Sequence, residues 1–295
     1  MVINILFFIY WLFFNRRFVW TSLFVLLIGY FVLGSFIEFQ ANTEETNTEE
    51  GIKVLTYNAL GFRGVDDHGT KEDKDKVLSF IKKQDADIVS IQEFSTYNLE
   101  KGDFKEYPYQ HINNGVKNGH VGLAILSKYP IIKKNDLAFP HSTNHAIYSD
   151  ILIHEDTISV YNLHLESLKI RPGMLKREAS DKLVKRLSYS FSKQQDQAIL
   201  FRENADANPH KKIVTGDFNN TQFSSAYRII KGDMNDSFTE KGSGYGKTID
   251  FWHFPLRIDF ILVDRDFEIQ NHENFKLGIS DHEPVLATVK LSVDK

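Results

Sequence analysis

Six polar clusters in this 295-residue chain border short apolar, β-branched runs: Tyr57-Asn58, Gln92-Glu93, the Asn162 and His164 pair of YNLHL, GDFNN (Asp217, Asn219), RIDF (Asp259) and SDHEPV (Asp281, His282). Carboxylates, carboxamides and imidazoles at strand ends are the groups that hold hard cations and move protons. Taken singly, each has a plain explanation. Asn58 suits a turn, Glu93 a surface, and Asp217 with Asn219 an Asx-rich turn. Six such clusters at the lips of strands are hard to assign to six unrelated turns. The chain contains no cysteine, which excludes a disulfide scaffold, a thiolate metal site and a cysteine nucleophile. Any catalysis runs on oxygen and nitrogen groups.

The elements that must position these groups are mostly strands. Ile52–Tyr57, Ile88–Gln92, Leu123–Ser127, Ala146–Ile153, Ile158–Leu165, Lys212–Thr215, Ile258–Val263 and Val285–Leu291 have strand length and β-branched content. Asp73–Lys83 and a long stretch from about Gly173 to Asn204 read as helices. Strands interleaved with helices predict an α/β domain whose helices cover the outer faces of its sheets. IVSIQ and KIVTG are apolar on consecutive positions, as strands covered on both faces are, and each runs into a carboxylate, Glu93 or Asp217. No second linker interrupts residues 51–295, so one domain is expected there.

In that order the segments resemble the endonuclease/exonuclease/phosphatase superfamily, over essentially all of residues 51–295. GDFNN and SDHEPV, about 60 residues apart, are the specific pair, and LAILSKYPI resembles the family's central strand. The resemblance implies a four-layer α/β sandwich, two packed β-sheets flanked by helices, and a Mg²⁺-dependent hydrolase of phosphoric esters, with Mn²⁺ as a substitute. It implies Glu93 as principal metal ligand, with Asn58 and Asp281 beside it. His282 would be the general base, Asp259 the acceptor of its other ring N–H, and Asp217 the group orienting the attacking water. Asn219 would donate to a phosphate oxygen, and His164 would contact the phosphate or leaving group. A phosphate anion repels hydroxide and the leaving alkoxide carries charge, which is why a cation, a base and neutral donors are needed together. The remaining histidines, His111, His141, His145, His154, His253 and His272, show no ligand spacing and read as surface or turn residues. Arg171-Pro172-Gly173 reads as a loop. Phe251, Trp252 and Phe254 read as an apolar wall, a lid or core.

Phe18–Ile37 is a 20-residue run without a charge and is expected to be a transmembrane helix; Val2–Phe14 is a shorter apolar segment. Residues 1–40 would thus be a retained membrane anchor rather than a cleaved signal, because no basic n-region or small-x-small site is present. Residues 41–50, with four Glu, read as a solvated acidic linker. Arg16 and Arg17 precede the run while Glu38 and the linker glutamates follow it, which predicts an extracytoplasmic domain on a plasma or inner membrane. The net charge is −4, and residues 41–295 carry 33 basic against 38 acidic side chains. That balance disfavours a broad duplex-DNA face. Expected partners are therefore the bilayer and a phosphate ester, a lipid headgroup or small phosphodiester before extracellular nucleic acid. A non-catalytic tethered scaffold of the same fold is the competing class.

Overall fold

The apolar N-terminal stretch folds into two helices, α1 (Val2–Phe14) and α2 (Val19–Leu33), joined by a single 3-10 turn at Arg16–Phe18. The computed structural model describes residues 2–33, 37–39, 51–65, 70–96, 99–114, 122–169, 180–251 and 254–292. The expected transmembrane helix over Phe18–Ile37 is corrected: α2 has 15 residues, about 22 Å. Among the described residues no helix is long and apolar enough to cross a membrane. Asn15 is the reason for two short helices, since its side chain accepts from Arg17 N and opens the 3-10 turn. Asn4 Nδ2 donates to Ser22 O at 3.0 Å and ties the helices together. Met1–Glu38 forms one unit and Phe39–Lys295 a second. The acidic linker at 41–50, Arg171-Pro172-Gly173, Trp252 and His253 lie outside the described residues.

The strands of the second unit are β1 (Ile52–Asn58), β2 (Ile88–Phe94), β3 (Tyr109–Asn113), β4 (Gly122–Ser127), β5 (Ile131–Ala138), β6 (His145–Ile153) and β7 (Asp156–His164). They continue with β8 (Lys211–Asp217), β9 (Asn235–Asp236), β10 (Ile249–Phe251), β11 (Phe254–Leu256), β12 (Asp259–Val263), β13 (Phe267–Asn274) and β14 (Val285–Leu291). Its helices are α3 (Lys71–Gln84), α4 (Ser180–Ala207), α5 (Ser225–Lys231) and α6 (Ser237–Lys241). One six-stranded sheet has the order β13-β14-β1-β2-β4-β3, the other β5-β6-β7-β8-β12-β9, and β10-β11 is a separate hairpin. Both six-stranded sheets are mixed: β1 runs parallel to β2 and β7 parallel to β8, while their other pairings are antiparallel. Each parallel pair needs a crossover, and α3 and α4 lie in them.

Burial separates the layers. Val54, Ile88, Ile125, Ile147, Val160 and Ile213 pack between the sheets. Val77, Phe80 and Ile81 of α3 cover Leu55 and Val89 on one outer face, and Ala198, Phe201 and Ala205 of α4 cover Tyr161 and Val214 on the other. This is the expected α/β sandwich. LAILS forms β4, second from the edge of its sheet and not central. Its apolar run reports that all six of its residues are buried, not its place in strand order.

A polar bridge crosses the apolar inter-sheet layer. Asn162 on β7 donates through Nδ2 to Ile91 O (3.0 Å) and Ala124 O (2.9 Å), and its Oδ1 accepts from Gln92 Nε2 at 2.6 Å. Gln92 Nε2 also donates to Thr56 Oγ1 at 3.0 Å. Buried amides without partners cost far more than the bonds gain, so this bridge admits few alternative sheet registers. Replacing Asn162 with Ala is expected to lower unfolding free energy by about 3 kcal/mol, read as a shifted urea midpoint with an unchanged slope; a midpoint equal to the native one would remove the bridge from the account.

Candidate active site

The two parallel strand pairs end at the same level, and their C-terminal ends carry the sequence-predicted groups. In one sheet Asn58 pairs with Gln92, and Glu93 follows at an irregularity between Gln92 and Phe94. Glu93 occupies the left-handed region, φ +51°. A bulged residue re-aims its side chain, and the strain is held by the surrounding ladder. In the other sheet His164 pairs with Asp217, and Asp217 with Asp259, so three functional groups form one row across β7, β8 and β12. Gly216, φ +141°, precedes Asp217; a Cβ there would lie 2.0 Å from Leu163 O, so only glycine lets these strands pair.

Asp217 Oδ2 is where the sheets meet. Asn58 Nδ2 donates to it across the sandwich at 3.0 Å and also reaches Glu93 Oε1 at 3.3 Å. Asn219 Nδ2 donates to it at 3.3 Å, and His164 Nε2 and His282 Nε2 each stand 3.6 Å away. Asp217 Oδ1 accepts Asn219 N at 2.7 Å, with Asn219 left-handed at φ +49°. The other amide hydrogen of Asn219 goes to Leu165 O at 2.9 Å. His282 Nδ1 faces both Asp259 oxygens, at 3.1 and 2.9 Å. Assigning the Nδ1 proton to that contact leaves Nε2 aimed at Asp217.

The electrostatics follow from burial. Asp217, Asp259 and His282 are all buried. Burial alone lowers the His282 pKa, but the Asp259 and then the Asp217 carboxylate outweigh it and push it up to about 10. Burial raises Asp259. Among the described residues no Lys or Arg pairs with Glu93, Asp217 or Asp259. Converging carboxylates with no Lys or Arg partner, joined by an amide, suit a hard divalent cation with oxygen ligands. Asp217, Asp259 and His282 also offer ligand atoms within 4.8 Å of one another, a group that could hold a metal ion.

Asn58, Glu93, His164, Asp217, Asn219, Asp259 and His282 are thus brought together. Asp281 is not joined to them: it is exposed, and its side chain accepts from Ser280 Oγ at 3.3 Å. Several supporting residues escape sequence reasoning. Thr248 Oγ1 accepts from Ile258 N and Asp259 N, and Ile249 bridges to His282. Gln194 of α4 donates to Glu166 O and Asn219 O, while Gln197 accepts from Glu166 N, pinning the segments after β7 and β8. Buried glutamines on an otherwise apolar helix face are the one signal these carry. Of the histidines read as surface groups, His111 is buried between the sheets, with Nδ1 3.0 Å from Ser149 Oγ.

The fold and the site together define an α/β sandwich hydrolase architecture with a carboxylate–amide–histidine centre. The model of the endonuclease/exonuclease/phosphatase family matches residues 55–282, and the chain belongs to that family. Its members are generally phosphoester hydrolases that use a divalent metal. A second family, described only as a domain of unknown function, matches residues 1–36. No curated protein matches the sequence. Similar solved structures include an endonuclease/exonuclease/phosphatase from Beutenbergia cavernae, 16% identical with TM-score 0.62, covering 82% of this chain and 72% of that one. The Bacteroides thetaiotaomicron mannosyl-6-phosphatase is 17% identical with TM-score 0.58, covering 81% and 100%. D. rerio TDP2 complexed with a single-strand DNA product is 13% identical with TM-score 0.60, covering 81% and 99%. At these identities the likeness is one of fold.

Two residues before Asp259, Arg257 lies between the Phe238 and Phe260 rings, 4.7 Å from each centroid. It donates to both oxygens of buried Asp236, which also accepts from Tyr227 Oη and caps α6 through Phe238 N. Breaking a buried pair strands the remaining charge. Arg257→Met is expected to destabilise the fold by about 3–5 kcal/mol, and Asp236→Leu added to it should recover much of the loss; a double variant as unstable as the single one would contradict this. Near this pair, burial holds half-buried His272 at about pKa 4 against an ordinary 6.5. The unfolded chain therefore takes up that proton first, and stability falls as pH drops from about 6.5 towards 4. Thermal melts of His272→Gln should show a flatter acid limb over that window.

Proposed function

We propose that this chain is a membrane-associated, Mg²⁺-dependent phosphoesterase that hydrolyses a lipid headgroup or small phosphodiester by in-line attack of water. The observation that carries the reading is the convergence of seven polar side chains on Asp217 Oδ2 and its neighbours, with carboxylates that no Lys or Arg among the described residues neutralises. Glu93 and Asn58 would hold the ion. When bound, the ion supplies Lewis-acid polarisation of the phosphoryl group and positive charge that offsets the carboxylates facing His282.

The chain's own groups divide the remaining tasks. Asp259 fixes the His282 ring with Nε2 towards the attacking water, and Nε2 accepts that water's proton. Asp217, 3.6 Å from the same nitrogen, orients the water. Asn219 Nδ2 exchanges its long 3.3 Å contact to Asp217 for a non-bridging phosphate oxygen. His164 Nε2, on the opposite side of Asp217, donates to the phosphate or the departing oxygen.

The substrate class rests on charge and attachment. An acidic domain is poorly suited to duplex DNA. Phe13, Trp20 and Phe24 on the first unit are largely exposed, and apolar surface of that kind favours a lipid boundary over water. Arg16 and Arg17, in the turn between α1 and α2, would add attraction to anionic headgroups at such a boundary.

The test is hydrolysis by the detergent-solubilised full chain, with Mg²⁺ or EDTA, of bis(p-nitrophenyl) phosphate, a phospholipid panel and plasmid DNA. Turnover is expected with Mg²⁺ alone, and the preferred substrate chooses between lipid and nucleic acid. Glu93→Gln should abolish turnover and shrink the rise in melting temperature that Mg²⁺ brings to the native protein. His282→Ala should lower turnover by about 10²–10⁴-fold while keeping that rise. Native turnover in either variant, or metal-independent turnover, would refute the assignment.

A further inference from the structure

The row of functional groups in the second sheet has one more member than the reaction above uses. Ala146 of β6 pairs with Leu163 of β7 in antiparallel register, so His145, at the start of β6, lies across from His164, at the end of β7. Side-chain alternation puts both on the inner face. Ile147, Ile151 and Ile153, two, six and eight residues on from His145, pack in the inter-sheet cluster, as do Val160 and Ile158, four and six residues before His164. Directly opposed residues of an antiparallel pair carry Cβ atoms about 5 Å apart. The row then reads His145, His164, Asp217, Asp259 across four adjacent strands.

The His145 side chain is half used. Nδ1 lies 3.5 Å from Thr143 O, at the limit of a hydrogen bond. Nε2 is buried and has no hydrogen-bond partner, one of a small number of such atoms among the described residues. A buried ring nitrogen without a partner costs its desolvation free energy, and such an atom beside a catalytic group calls for a ligand. The segment before it is held firmly: Asn144 Nδ2 donates to Leu165 O at 2.6 Å, and Ser142 Oγ to Glu166 Oε2 at 2.6 Å. His145 is therefore preorganised beside His164, on its far side from Asp217 in strand order.

We propose that His145 is a substrate-contacting residue: with the ring protonated against a bound phosphate anion, Nδ1–H faces Thr143 O and Nε2–H donates to a phosphate oxygen shared with His164. It extends the phosphate subsite by one strand along the row. The inference rests on the reading of this centre as a phosphoester site, but its direct test needs only phosphate binding.

Inorganic phosphate is titrated into the full chain with Mg²⁺ present, while the imidazole Cε1–H resonances are followed by ¹H–¹³C spectroscopy and assigned with single histidine variants. The His145 and His164 signals should move along one saturation curve. His145→Ala should bind phosphate about tenfold more weakly and raise KM for bis(p-nitrophenyl) phosphate by a similar factor, with kcat within about threefold, as loss of uniform binding does. His145→Gln, whose amide places a donor near the Nε2 position, should recover most of the affinity. A stationary His145 signal, or native phosphate affinity in His145→Ala, overturns the proposal. Phosphate-responsive His145 in a protein that hydrolyses none of the probes would support this contact and count against the phosphoesterase reading, so the two fail separately.

Discussion

The bond from Asn58 Nδ2 to Asp217 Oδ2 joins the two sheets at the level where both parallel strand pairs end, and the site is built around it. Each sheet separately offers a fragment, an amide and a carboxylate from one, and a histidine and two carboxylates from the other. Face-to-face packing brings the fragments within hydrogen-bond range. Below this contact the Asn162–Gln92 bridge repeats the device inside the apolar layer. Apolar packing is tolerant of small slips, whereas buried amides with directional partners are not. These two polar contacts therefore select one placement of sheet on sheet out of many that would bury similar area.

Holding carboxylates together out of water works against stability, and the local backbone carries the same compromise. Glu93 and Asn219 are both left-handed, and Gly216 adopts a conformation that a side chain would block. Strain of this kind persists where the surrounding ladder over-determines it. Here the ladders are long and the flanking layers well packed, so the cost falls on a few residues whose directions matter chemically. The Arg257–Asp236 pair belongs to the same plan, because it fixes the start of β12 where Asp259 must face His282.

Legibility in the sequence follows burial. The strands recognised beforehand are the inner ones, whose apolar runs are continuous because both faces are covered. Of those not recognised, β3, β5, β9 and β13 are the four edges of the six-stranded sheets, and β10 and β11 form the separate hairpin. YQHIN, IIKKNDLA and FEIQNHEN alternate or mix polar residues, as edges open to water do. The N-terminal helices fail for a different reason: hydropathy counted Phe18 onward as one span, but one amide at Asn15 and its 3-10 turn place the helix start at Val19, and the described part of α2 is Val19–Leu33.

By itself the sequence determined the chemistry available and its rough address. It carried no thiol, and it set carboxylates, amides and histidines at the ends of apolar strands in an order that resembles one family; local composition suffices for that, because strand burial and turn chemistry are written in adjacent residues. Only the tertiary structure decided which of these groups meet. Asp217 and Asn58 are 159 positions apart, Asp281 stays exposed while its neighbour His282 is buried, and His145 joins the row through strand register alone. Register and sheet-on-sheet placement are non-local properties, settled by the cooperative packing of the whole sandwich.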